Sequence, residues 1–262
     1  MMARDDIVLS IENVAVRFGG LLAISDMTFS VREGEIVGLI GPNGAGKTTA
    51  FNVITGFLQQ TSGEVFYRSK SLRGLKPYDI AKLGLVRTFQ RTSVFQERSV
   101  FHNLLTALHC QGQSRLWDIL LRTPREVASE RALAEQASSV LRFVGLTHRA
   151  DELAGALPYG EQRLVGVALA LAVKPSMLLL DEPVSGMNPA ETTRFVGLVK
   201  KIRESGVTIL LVEHDMKMVM GVCDRVVVLN YGRIIAEGSP AEIQKDPEVI
   251  RAYLGEGKKK RA

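Results

Sequence analysis

Between residues 7 and 31 apolar side chains recur mostly at alternate positions: Ile7, Leu9 and Ile11, then Val14, Val16 and Phe18, then Ile24, Met27 and Phe29. A period near two predicts strands with one buried face, and Gly19-Gly20 supplies the turn of an antiparallel set. The pattern then changes. Ile36-Val37-Gly38-Leu39-Ile40 is a continuous apolar run and predicts a buried strand, followed by a glycine-rich loop and a helix through Ile54. Gly63-Glu64-Val65-Phe66-Tyr67 predicts a short strand, and Leu85-Val86-Arg87-Thr88-Phe89-Gln90 a strand ending in a polar loop. Residues 99–145 are mostly helix formers, with Trp117-Asp118-Ile119-Leu120-Leu121 ahead of a break at Thr123-Pro124 and a clearer helix from Ala132 to Val144. A long alanine- and leucine-rich helix follows Pro158 and ends near Lys174-Pro175. Alternation of strand and helix then resumes: strands at Met177 to Asp181, Thr208 to Val212 and Arg225 to Leu229, with an amphipathic helix from Thr192 to Glu204. Near-continuous apolar strands separated by helices imply a parallel sheet covered on both faces. The expected fold is α/β, with a mostly parallel core over residues 5–90 and 171–254. To it are added an N-terminal antiparallel β subdomain, a helical insert at 91–170 and a tail at 255–262.

A chain of 262 residues with 46% apolar composition has enough material for this core in one large domain or two small ones. The net charge of +5 owes much to Lys258-Lys259-Lys260-Arg261, which reads as a solvated end rather than a nucleic-acid surface. The N-terminus has no apolar signal core. The longest apolar stretch, near Val165 to Val173, is too short to span a bilayer. Two cysteines, Cys110 and Cys223, give neither a metal spacing nor a disulfide framework, which suits a reducing cytosol. Any work at a membrane is therefore expected from its side, through partners.

The chemistry begins at Gly41-Pro42-Asn43-Gly44-Ala45-Gly46-Lys47-Thr48-Thr49, which fits G-x-x-x-x-G-K-[ST] between a predicted strand and a predicted helix. Backbone N–H groups of such a loop surround the β-phosphate of ATP or GTP. Lys47 reaches the β- and γ-phosphates, and the Thr48 hydroxyl serves Mg²⁺. Asp181 ends a strand and Glu182 follows it. A carboxylate there sits where open α/β sheets bind ligands. Asp181 suits a magnesium-bound water, and Glu182 suits polarising the water that attacks the γ-phosphate. His214, in Val212-Glu213-His214-Asp215, ends the next strand and can touch the γ-phosphate or orient that water. Gln90 offers an amide oxygen to the ion or the water. Phe18 is an aromatic placed to stack on adenine.

With these residues in place, the chain from residue 6 to 254 resembles the ATP-binding subunits of ABC transporters. The resemblance makes Phe18 the adenine-stacking aromatic, Gln90 the loop glutamine that couples nucleotide state to the membrane domain, and His214 the switch histidine. It makes Leu157-Pro158-Tyr159-Gly160-Glu161-Gln162 the signature and Ser185-Gly186-Met187-Asn188 the dimer-contact loop. Finer likeness is to branched-chain amino acid importer ATPases of the LivG type, through Gly186-Met187-Asn188-Pro189, Val212-Glu213-His214-Asp215-Met216-Lys217 and Leu229-Asn230-Tyr231-Gly232. Importers of other amino acids, urea or short amides remain alternatives, with soluble ABC ATPases, lipopolysaccharide-export ATPases and a poorly hydrolysing structural subunit behind them.

The resemblance implies ATP and Mg²⁺ as ligands. It implies a head-to-tail partner ATPase whose signature completes each site, two permease subunits, a substrate-binding protein, and a peripheral place on the cytoplasmic face of the membrane. Three departures stand out. In the signature, Pro158 replaces a serine and brings neither hydroxyl nor N–H, and Glu161 adds negative charge beside the nucleotide unless it points away. Asn188 replaces the usual aspartate of the dimer loop. Leu169 stands where many relatives carry arginine.

Overall fold

The computed structural model describes residues 6–88, 94–109 and 124–255. They divide into two compact units: residues up to Arg87 with Ser176–Val184 and Pro189 onward, and Thr88–Pro175 with Ser185–Asn188.

The first unit holds two sheets. β1 (Ile7–Phe18) and β2 (Leu21–Arg32) pair antiparallel across the Gly19-Gly20 turn. Together with β4 (Ser62–Tyr67) and β5 (Lys70–Ser71) they make a four-stranded sheet in the order β2-β1-β4-β5. The second sheet has the order β10-β9-β3-β8-β7-β6. β3 (Ile36–Ile40), β6 (Leu85–Arg87), β7 (Met177–Asp181), β8 (Thr208–Val212) and β9 (Arg225–Asn230) run parallel. Only β10 (Arg233–Gly238) is antiparallel, returning from β9. All five residues of β3, of β7 and of β8 are buried, which is why these segments read as unbroken apolar runs.

The helices of this unit are α1 (Lys47–Ile54), α2 (Pro77–Lys82), α6 (Pro189–Glu204), α7 (Met216–Val222), α8 (Pro240–Ile243) and α9 (Pro247–Gly255). The second unit is helical: α3 (Val100–His109), α4 (Pro124–Val144) and α5 (Tyr159–Ala172). In it Val100, Leu104, Leu108, Ala137, Leu141, Val165 and Ala168 are buried. No described helix is long and apolar enough to cross a membrane.

The α/β fold with an antiparallel β subdomain and a helical part matches the expectation, with local differences. Helix α4 begins at Pro124, so Thr123-Pro124 marks a helix start rather than only a break. Proline fits a first helical position, where no N–H is needed. For the same reason α6 begins at Pro189, three residues before Thr192. β6 stops at Arg87, and Phe89 and Gln90 lie outside the described residues, as do Trp117 to Leu121 and the basic cluster at 258–261. α2 and α7 were not anticipated, because six or seven residues complete too few turns to set a period, and β10 was not because none of its residues is fully buried, so no apolar run marks it.

The strand order positions the site. β3 lies between β9 and β8, and β8 between β3 and β7, with Ile40 opposite Val228 and Asp181 opposite Val212. Three carboxyl ends thus open side by side, and each continues into one of the motifs singled out above.

Candidate active site

β3 runs straight into the phosphate loop. At Gly41, φ is +153°, and a Cβ built there would stand 2.0 Å from the Leu229 carbonyl oxygen on β9, so the chain leaves the sheet here only as glycine. α1 then starts at Lys47 with Gly46 as N-cap, no side-chain cap and no acidic residue in its first turn. The positive end of its dipole favours an anion there. Lys47 is buried to 6% exposure and bends back over the loop, its Nζ donating to the carbonyls of Gly41 at 2.7 Å and Pro42 at 3.0 Å. Asn43, Gly44, Ala45, Gly46, Lys47, Thr48 and Thr49 line a cleft of about 340 Å³. Glu182, His214, Tyr231 and the Leu21-Leu22-Ala23 end of β2 complete its lining.

Glu182 and His214 meet at the cleft. His214 Nε2 and Glu182 Oε1 are hydrogen-bonded at 2.5 Å, with the donor set by the ring's tautomer. Glu182 has φ +45°, an uncommon conformation for a residue with a branched-off side chain, and its N–H donates to the Val212 carbonyl at 2.9 Å. Such conformations persist where the surroundings over-determine them, often at functional sites. Asp215 follows His214 and caps α7, its carboxylate accepting from the N–H groups of Lys217 at 2.8 Å and Met218 at 3.0 Å.

Asp181 is 3% exposed and held by Arg87, whose Nη2 donates to Oδ2 at 2.6 Å. Arg87 also donates to Asn52 Oδ1 at 2.7 Å and lies over the Phe51 ring, tying β6 and β7 to α1. Thr48 lines the cleft, whereas Asp181 ends β7 outside the lining; each offers oxygen donors, the kind Mg²⁺ takes. Among the described residues no group of three or more His, Cys, Asp or Glu side chains is arranged to hold a metal.

Two residues here escaped the sequence reasoning. Arg87 enters the sequence reading only as part of a predicted strand, although a charge on a short strand of a buried sheet needs a partner. Glu213 is 2% exposed and accepts from the N–H of Val184 at 2.9 Å, of His214 at 3.0 Å and of Asp215 at 3.4 Å. Burial pushes its carboxyl above the ordinary glutamate value, and those N–H groups only partly offset this. Its position between Val212 and His214 was the available signal. Phe18 is half-exposed at the end of β1 and does not line the cleft, and Gln90 lies outside the described residues.

The ABC transporter family profile matches residues 24–185, from β2 through the carboxylates to the loop after them. The chain belongs to the ABC transporter ATP-binding family. A profile described as branched-chain amino acid ATP-binding cassette transporter matches residues 233–259 of this cassette. It is similar to the high-affinity branched-chain amino acid transport ATP-binding protein LivG of Salmonella typhimurium, 45% identical over 95% of this chain and 98% of the relative. It is likewise similar to BraF of Pseudomonas aeruginosa, 44% identical with the same coverage. A solved ATP-binding cassette of an ABC transporter in its ADP conformation superposes with a TM-score of 0.83 at 33% identity, covering 95% of this chain and 99% of that one.

In the cassette's second unit the segment that resembles the signature opens α5. Pro158 is its N-cap and makes no side-chain cap, Gly160 is buried in the first turn, and Gln162 donates to the Leu157 carbonyl at 2.8 Å. Glu161 is paired with Arg149 at 2.9 Å, so its charge is offset within this unit. Tyr159 packs on the loop Ser185–Asn188: a Cβ at Gly186 would be 3.0 Å from its ring. Arg163 lies 5.0 Å from the ring centroid and donates to the hydroxyl at 2.5 Å. Asn188 is exposed at the end of that loop.

Proposed function

We propose that this cassette hydrolyses ATP to drive import of branched-chain amino acids, as the peripheral nucleotide-binding subunit of a membrane permease on the cytoplasmic face. The 2.5 Å contact between His214 and Glu182 at a cleft floored by the phosphate loop carries the hydrolytic part. ATP is the substrate. Its phosphates lie on the loop N–H groups from Gly44 to Thr49, and Lys47 leaves the Gly41 and Pro42 carbonyls to meet them. Thr48 and, through water, Asp181 would hold Mg²⁺, which would supply charge neutralisation of the phosphates when bound. Glu182 accepts the proton of the attacking water as its oxygen bonds the γ-phosphorus and the bond to the β-bridging oxygen breaks, giving ADP and phosphate. His214 holds Glu182 in line.

The cleft's lining comes wholly from the first unit. The signature residues Pro158, Tyr159, Gly160 and Glu161 and the loop ending at Asn188 act on the site of a second cassette, placed head to tail. The α5 N-terminus there favours the γ-phosphate charge, and the Arg149 pairing keeps Glu161 from opposing it. Loss of the γ-phosphate removes this bridge, and two permease subunits and a substrate-binding protein complete the cycle. The substrate class is supported by identity to LivG and BraF across nearly the whole chain and by the profile match at residues 233–259.

Uptake of labelled leucine, isoleucine and valine in the source cell, with Lys47→Ala replacing the wild type, tests this reading. Uptake of all three is expected to collapse at unchanged protein level. Wild-type uptake would remove the substrate assignment.

A further inference from the structure

The cleft lining combines two chemistries. Lys47, Thr48, Glu182 and His214 serve the phosphates. Leu21, Leu22 and Tyr231 are large apolar side chains that stay 67%, 38% and 82% exposed. Besides the His214 imidazole, which is engaged with Glu182, Tyr231 is the one aromatic ring among the described residues that line the cleft, whereas Phe18 is not in the lining.

Tyr231 occupies an expensive position. It and Gly232 form the two-residue turn between β9 and β10, with Asn230 opposite Arg233, and their φ angles are +44° and +77°. A hairpin turn with both central residues at positive φ favours asparagine, aspartate or glycine first, and a bulky ring there is strained. The ring gains no packing in return, being 82% exposed. The turn itself is held firmly. The Gly232 N–H donates to the Ala45 carbonyl in the phosphate loop at 2.9 Å, and the Ser25 N–H donates to the Gly232 carbonyl at 2.8 Å. A Cβ at Gly232 would lie 2.5 Å from the Ala23 carbonyl oxygen. Backbone pinned to both the phosphate loop and β2 sets the ring beside the cleft.

We propose that Tyr231 is a nucleobase-binding residue whose ring stacks on the base of the nucleotide held by the phosphate loop. A planar π-face is what an unpacked, strained tyrosine offers at such a place, and base–aromatic stacking gains from surface that would otherwise meet water. The inference rests on the ATP-binding reading above and adds a residue to it.

The test is calorimetric titration of the purified full chain with Mg-ATP and with inorganic tripolyphosphate, which has no base. Tyr231→Asn suits the turn, so the variant is expected to fold with a melting temperature no lower than wild type. Its ATP affinity is expected to fall roughly tenfold with tripolyphosphate affinity unchanged. Tyr231→Phe, which keeps the ring, is expected to restore ATP binding. Wild-type ATP affinity in Tyr231→Asn would overturn the proposal, as would equal losses for ATP and tripolyphosphate, which would place the effect on the loop. A wild-type chain that binds tripolyphosphate but not ATP would sink the underlying reading as well, and so is distinguishable from failure at Tyr231 alone.

Discussion

At the scale of single residues, the site depends on a few side chains whose partners leave them little freedom. Glu182 stands at positive φ with His214 on one carboxylate oxygen, so the other oxygen is the one left to meet a water. Removing its basicity while keeping its shape separates chemistry from binding. Glu182→Gln is expected to bind ATP within about threefold of wild type and to lose 10² to 10⁴ in turnover, roughly the worth of a positioned base. Steady-state phosphate release beside nucleotide titration measures both, and undiminished turnover would take the role from Glu182. Arg87 and Asp181 are a different case. Both are nearly buried, so deleting either strands a charge, and the resulting damage would combine folding with catalysis.

The elements around the cleft are joined through Glu213. One buried carboxylate accepts from the loop after β7, at Val184, and from the start of the segment leading into α7, at His214 and Asp215. These N–H groups have no strand partner where the chain leaves the sheet, and buried donors need an acceptor. Glu213→Ala is therefore expected to lower stability by about 1–3 kcal/mol. Amide hydrogen exchange should accelerate at Val184, His214 and Asp215 while β3 stays protected. Uniform acceleration across the unit would show a global loss instead of this local one, and unchanged exchange would show that the carboxylate is dispensable.

For the first unit as a whole, Arg225 is the junction between its two sheets. Its Nε and Nη2 donate to Glu35 at 2.8 and 2.9 Å, Nη2 also reaches the Ser30 carbonyl on β2 at 2.6 Å, and Nη1 pairs with Glu237 on β10. Burial alone would push the Glu35 carboxyl up, but the Arg225 guanidinium and the Arg32 N–H outweigh it and hold it below its ordinary value of 4.5. A lowered carboxyl contributes stability above the unfolded-state value and loses it as pH falls through the folded-state value. The melting-temperature gap between wild type and Glu35→Gln should thus be widest at neutral pH and close in acid below 4.5. A gap independent of pH would mean that the carboxylate's charge contributes nothing.

What the sequence determined alone is what short-range pattern can encode. The phosphate loop was legible because Gly41, Gly46, Lys47 and Thr48 are consecutive demands of one backbone cradle. The buried strands β3, β7 and β8 were legible because both faces are covered, so every position is apolar. Asp181, Glu182 and His214 followed as polar residues at the ends of such strands. Tertiary structure decided the rest, because it depends on which strands become neighbours. Only the order β8-β7-β6 brings His214 onto Glu182, 32 residues apart in the chain, and Arg87 onto Asp181, 94 residues apart. Tyr231 looked like a family ornament in the linear chain. It becomes part of the cleft because hydrogen bonds from its turn reach Ala45 and Ser25, contacts between segments far apart in sequence that no local periodicity records.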